Sequence, residues 1–187
     1  GQKLLAQALK ESEQKFHKAF NASPTAISIC SLPDGAFMDV NDQYCRITGY
    51  NRDELIGHNA DEYNLWSTDE QRENGSFRVF AGKPVRNQEM EIRSKDGRIS
   101  TLLFSMEYIQ ISGKQCLLLV STDITDYKKT RQALSETEQQ LSKIFHLSPQ
   151  QMVLVREKDG MTIDVNDSPV QVTGYSREET VGRTSTE

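Results

Sequence analysis

Few residues in this chain have the type and spacing that chemistry would need. Cys30, Cys45 and Cys116 lie far apart, without the short fixed intervals that a structural metal site requires. Their odd number and wide separation indicate small buried side chains in a reducing compartment. The cysteines therefore predict neither a metal site nor a disulfide framework, and they favour a cytoplasmic location.

A catalytic centre is equally hard to assemble from the sequence. No nucleophile, base and orienting group cluster along the chain, and no glycine-rich loop that could cradle a phosphate is present. His146 lacks the acidic and arginine neighbours that follow a phosphoacceptor histidine in kinases, so we interpret it as an ordinary residue near a helix C-terminus. We expect no enzymatic activity from this chain.

The composition excludes two further classes of partner. The net charge is -5, and no basic face that could bind phosphates is visible, so we expect no nucleic-acid partner. No stretch approaches the ~20 apolar residues of a membrane span, so we expect none in this chain. Clustered aromatic and β-branched residues, with 36% hydrophobic residues overall, still allow a buried core.

The strongest pattern is an internal repeat. Residues 20–57 align without a gap with residues 145–182, at an offset of 125. The shared segments are Asp39-Val40-Asn41-Asp42 with Asp164-Val165-Asn166-Asp167, and Thr48-Gly49-Tyr50 with Thr173-Gly174-Tyr175. Two copies at a domain-sized period predict a tandem of related domains, the second cut off. We expect residues 150–187 to be loosely held, or to find a strand partner in another chain.

Two long amphipathic helices are predicted, one before each copy. Both have apolar positions three and four residues apart, the spacing of a coiled-coil seam. The seams are Leu5, Leu9, Ser12, Phe16 and Ala19 in the first helix, and Tyr127, Thr130, Leu134, Thr137, Leu141 and Ile144 in the second. We expect these helices to pair in a homodimer. The predicted organisation is helix 1–22, domain 23–125, linker helix 126–147 and half-domain 148–187.

Five strands and several shorter helices are predicted between the two long helices. Alternation and turn residues predict strands at 26–31, 36–40, 85–94, 99–110 and 115–124. Short helices start at a cap on Asn41 or Asp42 and at a cap on Asn51, and a longer helix runs from Thr68 or Asp69 to about Ala81. The continuous apolar run 116–120 indicates a central strand that is covered on both sides.

This order of elements resembles a PAS domain. The residues that carry the resemblance are Val40-Asn41, Thr48-Gly49-Tyr50, Glu54-Leu55-Ile56-Gly57, the Asp96-Gly97 hairpin and Asp123-Ile124-Thr125. The match spans about residues 13–127 and, as a first half only, 138–187. The resemblance implies an α+β fold: a five-stranded antiparallel sheet in the order 2-1-5-4-3, with helices on one face.

The resemblance also implies a function. PAS domains are sensor and dimerisation modules, often joined by coiled-coil helices to a histidine kinase or nucleotide cyclase output domain of the same parent protein. In the family, the junction that holds Asp123 and Thr125 transmits the signal. Two alternatives stay open: these residues could simply end a strand and cap a helix, and the module could dimerise as a structural spacer without any ligand.

Cofactors are also constrained by the resemblance. Flavin sensors of the family need a cysteine where this chain has Ala60, and haem sensors need a histidine on the long helix, where residues 65–81 have none. His58 lies in the preceding loop, and two interpretations stay open for it: a metal or haem ligand, or a solvated loop histidine. We expect neither flavin adduct nor haem, and an unknown small molecule stays possible. The residues that could line its cavity, or equally form plain core, are Trp66, Phe77, Phe80, Met90, Phe104 and Cys116.

Overall fold

A computed structural model describes residues 2–69, 83–168 and 174–184 of the chain. The chain divides into two compact units, Gly1–Tyr127 and Lys128–Glu187. The predicted long helix, with Phe77 and Phe80, lies outside the described residues except for its start. None of the described helices is both long enough and apolar enough to cross a membrane.

The elements follow the predicted order. The first unit contains α1 (Gln2–Ala22), β1 (Ala26–Ser31), β2 (Phe37–Val40), α2 (Asp42–Thr48), α3 (Arg52–Leu55), β3 (Val85–Arg93), β4 (Ile99–Ile111) and β5 (Lys114–Asp123). Helix α4 (Thr125–Leu147) follows β5. The second unit then contains β6 (Val153–Val155), β7 (Thr162–Val165) and α5 (Arg177–Thr180).

The five strands of the first unit form one antiparallel sheet in the order β2-β1-β5-β4-β3. The first and last strands of this unit, β1 and β5, lie side by side near the centre of the sheet. They are paired from Ala26 opposite Ser121 to Ser31 opposite Cys116. Helix α2 packs against β1 and helix α3 against β2. This architecture confirms the α+β fold and the strand order that the resemblance implies.

Helix α2 shows how local sequence fixes the passage from strand to helix. Asn41 directly follows β2 and caps the helix, because its side-chain oxygen accepts the Tyr44 amide hydrogen at 3.0 Å. Gly49 ends the helix in the left-handed conformation, with a φ of 75°, and its amide donates to the Cys45 carbonyl at 2.8 Å. Of the two predicted caps, the structure therefore uses Asn41.

Strand pairing divides the side chains of the sheet between two faces. We call inner the face that meets the helices, and its residues on the three adjoining strands are Ala26, Ser28 and Cys30 of β1, Leu117, Leu119 and Ser121 of β5, and Leu102, Phe104 and Met106 of β4. Leu55 and Leu65 pack with this face in the main core. The opposite, outer face carries Ile27, Ile29, Leu118 and Val120.

The predicted central position of β5 is confirmed, since it is the middle strand of the sheet. Its apolar run is buried on both faces at the start, where Leu117 lies on the inner face and Cys116 on the outer face. The following residues Leu118, Leu119 and Val120, which alternate between the two faces, are half-buried.

The second unit repeats a buried hydrogen-bond arrangement of the first. Asn41 is fully buried, and its side-chain oxygen accepts the Ile27 amide hydrogen at 2.9 Å. Asn166 is buried likewise, and its oxygen accepts the Met152 amide hydrogen at 2.9 Å. The residue numbers of Asn166 and Met152 exceed those of Asn41 and Ile27 by 125, the offset that relates the two copies in the sequence. The repeat in the sequence is therefore also a repeat of local structure.

An ion pair recurs at the same offset. Arg52 of α3 lies 2.8 Å from Asp39 of β2, and Arg177 of α5 lies 2.7 Å from Asp164 of β7. The Arg177 guanidinium holds the pKa of the Asp164 carboxyl below its ordinary value. Because the arginines are about half exposed, such pairs contribute little stability. They orient the short helix on its strand.

Candidate functional site

Four of the six predicted cavity residues fall in the described part of the chain. Phe104 of β4 is buried in the main core on the inner face, and Met90 of β3 packs against the same cluster. Both side chains therefore belong to the inner-face core, with Met90 at its margin. The positions of Phe77 and Phe80 lie outside the described residues.

Cys116 does not join them. Leu117 lies opposite Cys30 on the inner face, so its neighbour Cys116 points to the outer face. There the Cys116 sulfur lies 3.5 Å from the sulfur of Met38. The prediction that Cys116 lines a cavity with Phe104 is corrected by the two-residue period of the strand, which puts adjacent side chains on opposite faces.

Trp66 lies at the edge of the sheet, beside β3. Its backbone bridges to Ile92, and the Arg93 amide donates to the Leu65 carbonyl at 2.7 Å. The indole N–H donates to the Asp61 carboxylate at 2.8 Å, and the residue is buried. Trp66 therefore covers the edge strand, and its role at the mouth of a cavity stays a prediction.

The inner face of β1 carries polar groups that the sequence reasoning missed. Ser28 is 1% exposed, and its hydroxyl has no hydrogen bond of normal geometry among the described residues, but it lies close enough to the Cys30 thiol to act on that thiol's pKa. Cys30 lies two residues further on the same face, and burial raises the pKa of its thiol to about 12. The available signal was the alternation of small residues with Ile27 and Ile29. Alternation alone does not show which set faces the core.

Tyr44 of α2 covers this part of the inner face. It packs against the cluster that contains Cys30 and against the cluster that contains Ala26, the inner-face neighbours of Ser28 on either side. Burial, and to a lesser extent the nearby Cys30 and Cys45, raise the pKa of the Tyr44 phenol. The phenol therefore keeps its proton at physiological pH, and the whole group is uncharged.

The junction between β5 and α4 holds the two residues predicted to relay a signal. The Thr125 hydroxyl accepts the Thr101 amide hydrogen at 2.9 Å and donates to the Asp123 carboxylate at 2.5 Å. The Thr125 amide donates to the same carboxylate at 2.9 Å, and the Ile124 amide donates to the Thr101 carbonyl at 2.9 Å. Thr125 therefore connects β4, the end of β5 and the first turn of α4.

The seams of both long helices expose large apolar side chains. On each, more than half of the side-chain surface is exposed: Leu5, Leu9 and Phe16 on α1, and Tyr127, Leu134, Leu141 and Ile144 on α4. No residue of α4 is buried. Contiguous exposed apolar residues are a common feature of interaction surfaces in proteins.

The residues that bear on cofactors lie between α3 and β3. His58 is exposed, and its Nδ1 lies 2.7 Å from the Glu62 carboxylate. Ala60, at the position where a flavin sensor would need cysteine, packs against the main core. His58 is thus placed as a solvated loop histidine, and the expectation of neither flavin adduct nor haem stays a prediction.

Comparisons with known proteins agree with the fold. The family model of the PAS domain matches residues 24–126 and 150–187. The methyl sulfide methyltransferase-associated sensor of Methanosarcina acetivorans is 33% identical over 132 residues, which make up 68% of this chain and 13% of that relative. The chain therefore spans only a small part of the length of the relative.

Two solved structures show the same architecture. The PAS domain of an HTR-like protein from Haloarcula marismortui is 25% identical with a TM-score of 0.56, covering 65% of this chain and 99% of that one. A PAS domain from Colwellia psychrerythraea is 21% identical with a TM-score of 0.52, covering 60% of this chain and 97% of that one. The strand order, the matched family model and these likenesses together show that the chain belongs to the PAS domain family.

Proposed function

We propose that this chain is a sensory and regulatory module that dimerises through α1 and α4 and relays the state of a ligand or partner to an output domain. The observation that carries the proposal is the position of Thr125, which bonds to Thr101 of β4 and to Asp123 while it begins α4. A change in the curvature of β4 or β5 would displace these bonds. The direction of α4 would change with them.

The exposed seams support dimerisation. Burying apolar side chains such as Leu134 and Leu141 against a second copy removes them from water, which favours association. Ser12, Thr130 and Thr137 interrupt the seams with hydroxyl groups, which suits a weak and adjustable interface. A relay needs two helix packings that differ by only a few kcal/mol, and such an interface can provide them.

The output domain is proposed by analogy with the family. A histidine kinase or a nucleotide cyclase in the parent protein would receive the signal through α4, and this chain itself would catalyse nothing. The relative from Methanosarcina acetivorans is named a sensor, which supports a sensing role. Three unpaired cysteines support a reducing, cytoplasmic setting. Neither nucleic acid nor membrane is proposed as a partner of this chain.

Sedimentation equilibrium of the full chain tests dimerisation. We expect the wild type to form dimers, and we expect Leu134→Glu to weaken association at least about a hundredfold, because a charge would enter the seam. Gln139→Glu is the matched control, since it places the same charge on α4 outside the seam. A wild type that stays monomeric at millimolar concentration, or two variants that behave alike, would reject the dimer.

Substitution at the junction tests the relay. Thr125→Val keeps the shape of the side chain but removes its bonds to the Thr101 amide and to Asp123. We expect faster amide exchange through the first turns of α4 and a changed dimer dissociation constant. Thr122→Val, on the exposed outer face of β5, should change neither. If Thr125→Val also leaves the dissociation constant unchanged, the module is a structural spacer that dimerises without relaying.

A further inference from the structure

Two sulfur atoms from different strands meet on the outer face of the sheet in the first unit. We propose that the Cys116 thiolate and the Met38 thioether form a binding site for copper(I), a soft monovalent metal ion. The site lies on the opposite face of the sheet from the core that the helices cover. The inference goes beyond the proposed function and does not depend on it.

Strand pairing brings the two residues together, although they lie 78 positions apart in the sequence. Met38 is an extra residue in β2, because the pairing of β2 with β1 skips it, and a bulge of this kind redirects a side chain. Since β1 lies between β2 and β5, Met38 reaches across β1, and its sulfur lies 3.5 Å from the Cys116 sulfur. The Lys114 carbonyl oxygen, 3.7 Å from the Cys116 sulfur, is a third donor.

The second unit shows that the fold does not require a thioether at this position. Ile163 of β7 is the counterpart of Met38 at the offset of 125, and the pairing of β7 with β6 skips it in the same way. Ile163 is 48% exposed and Met38 is 39% exposed, so the two positions are covered to a similar extent. The bulge therefore belongs to both copies, whereas the sulfur is particular to the first, and packing does not account for it.

The donor atoms select the class of metal. Thiolate and thioether sulfur are soft ligands, which suit copper(I), whereas magnesium, calcium and manganese take oxygen ligands. A structural zinc site takes four ligands in a tetrahedron, more than two sulfur atoms provide. The ligand search in the sequence looked for short fixed intervals, so it could not find two residues that only the fold brings together.

The charge of the ion also agrees with the site. Binding breaks the S–H bond of Cys116, releases the proton to solvent and forms a metal–sulfur bond, so the pair of ion and thiolate is neutral. A neutral pair suits Cys116, which is 1% exposed, whereas a divalent ion would leave a net charge buried there. The more exposed Met38 provides the entry path. A bound ion would link β2 to β5 across β1.

Anaerobic titration of the full chain with copper(I), in competition with a chromophoric copper(I) chelator, tests the site. We expect Met38→Ile to weaken binding at least about tenfold, the effect of losing even an outer-shell partner of a metal ligand. This variant carries the residue that the fold accepts in the second unit, so the loss does not report misfolding. Cys116→Val should weaken binding further. Cys45→Val, which removes a thiol of α2, is the matched control and should bind copper(I) like the wild type.

Nuclear magnetic resonance of ¹³C-labelled methionine methyl groups locates the ion independently. Of the five methionines in the chain, we expect copper(I) to shift the methyl signal of Met38, and to leave it in place in Cys116→Val. The proposal is overturned if wild type and Met38→Ile bind equally, if the Met38 signal does not move, or if zinc(II) binds as tightly as copper(I). Since the dimer and junction experiments use no metal, such a result would reject the copper site and not the relay.

Discussion

The side chain of Asn41 connects more elements of the fold by hydrogen bonds than any other side chain described above. Its side-chain nitrogen donates to the carbonyls of Phe20 and Thr25, both at 2.9 Å. Its oxygen accepts the amide hydrogens of Ile27 at 2.9 Å and Tyr44 at 3.0 Å. The end of α1, the start of β1 and the start of α2 therefore share one buried amide group.

Asn41→Ala should lower the free energy of unfolding of the first unit by about 3 kcal/mol, because it leaves several buried backbone groups without partners. Urea denaturation followed by the fluorescence of Trp66, the one tryptophan of the chain, measures this directly. Asn166→Ala removes the equivalent side chain from the second unit and should leave the Trp66 transition in place. Equal effects of the two substitutions would contradict the assignment.

Because of Cys30, the stability of the first unit depends on pH in the alkaline range. Burial raises the pKa of its thiol from the ordinary 9.0 to about 12, so the folded state retains the proton that the unfolded state releases. The stabilisation is complete below pH 9 and is lost as the pH rises from about 9 towards 12, with a slope of up to about 1.4 kcal/mol per pH unit. Tyr44, whose pKa is also raised by burial, acts in the same direction.

Cys30→Ala should therefore flatten the decline of the free energy of unfolding between pH 9 and 12. Below pH 9 the absolute stability of the variant is lower, because the smaller side chain leaves a cavity. The slope, and not the level, is the diagnostic quantity in urea denaturation over this range. Identical slopes in wild type and variant would show that Cys30 does not carry the effect.

At the scale of elements, the end of α2 is set by a backbone shape as well as by hydrogen bonds. Gly49 has a φ of +75°, and a Cβ added there would lie 3.4 Å from the Cβ of Lys95. The Lys95 amide donates to the Thr48 carbonyl at 2.8 Å, so the β3–β4 turn is held against the helix end. A side chain at position 49 would therefore be strained in the left-handed conformation, and it would also contact Lys95, whose backbone is held in place.

Gly49→Ala should destabilise the first unit by about 1–2 kcal/mol, the cost of a left-handed residue with a Cβ. Gly49→Asn is the matched comparison. It adds the same Cβ beside Lys95, but asparagine tolerates the left-handed conformation better. Thermal unfolding should rank the melting temperatures as wild type, then asparagine, then alanine. Equal losses in both variants would instead assign the effect to crowding against Lys95.

The sequence was sufficient for most element boundaries, because capping, turn residues and alternation act within a few neighbours. β1 was predicted at its observed bounds, and the cap of α2 at one of two residues. The orientation of β1 was out of reach of such reasoning. Its apolar Ile27 and Ile29 face outward and its small Ser28 faces the core, a choice that depends on how β5 and α2 pack against it.

The faces on which the candidate residues lie were predictable in part for the same reason. Met90 packs against the core cluster that contains Phe104, since alternation along long strands predicts which side chains share a face. The prediction put Cys116 on the wrong face of the sheet, because a run in which every residue is apolar does not show which side chains alternate to which face. The partner of Thr125 on β4, Thr101, and the pairing of Trp66 with β3 both join residues distant in sequence. Neither of these contacts can be recognised from the residues that are adjacent in sequence.

At the scale of the whole molecule, the repeat provides two versions of one strand in different surroundings. β1 is paired along both edges, by β2 and β5, whereas β6 pairs with β7 alone among the described strands. Ser28, Ile29 and Cys30 are 1%, 9% and 1% exposed, but their counterparts Val153, Leu154 and Val155 are 44%, 52% and 56% exposed. Equivalent sequence positions therefore differ in what covers them.

Amide hydrogen exchange should reveal this difference in the full chain. A two-stranded hairpin is marginally stable in water, so the amides of 153–155 should open locally at little cost. Those of 28–30 should exchange only when the first unit unfolds, at least about a thousandfold more slowly. The Leu134→Glu variant, which we expect to be monomeric, is the material in which to compare them.

Dependence of the exchange on concentration then distinguishes two states of the second unit. An open apolar groove of about 440 Å³ lies within it, between α4 and the β6–β7 hairpin. Among the described strands, none pairs with the second edge of β6, which could accept another strand. If residues 153–155 become protected only where the wild type dimerises, a strand or helix of the second copy covers them. If they are as protected as 28–30 in the monomer, the hairpin is stable by itself and the expectation of a loosely held half-domain is refuted.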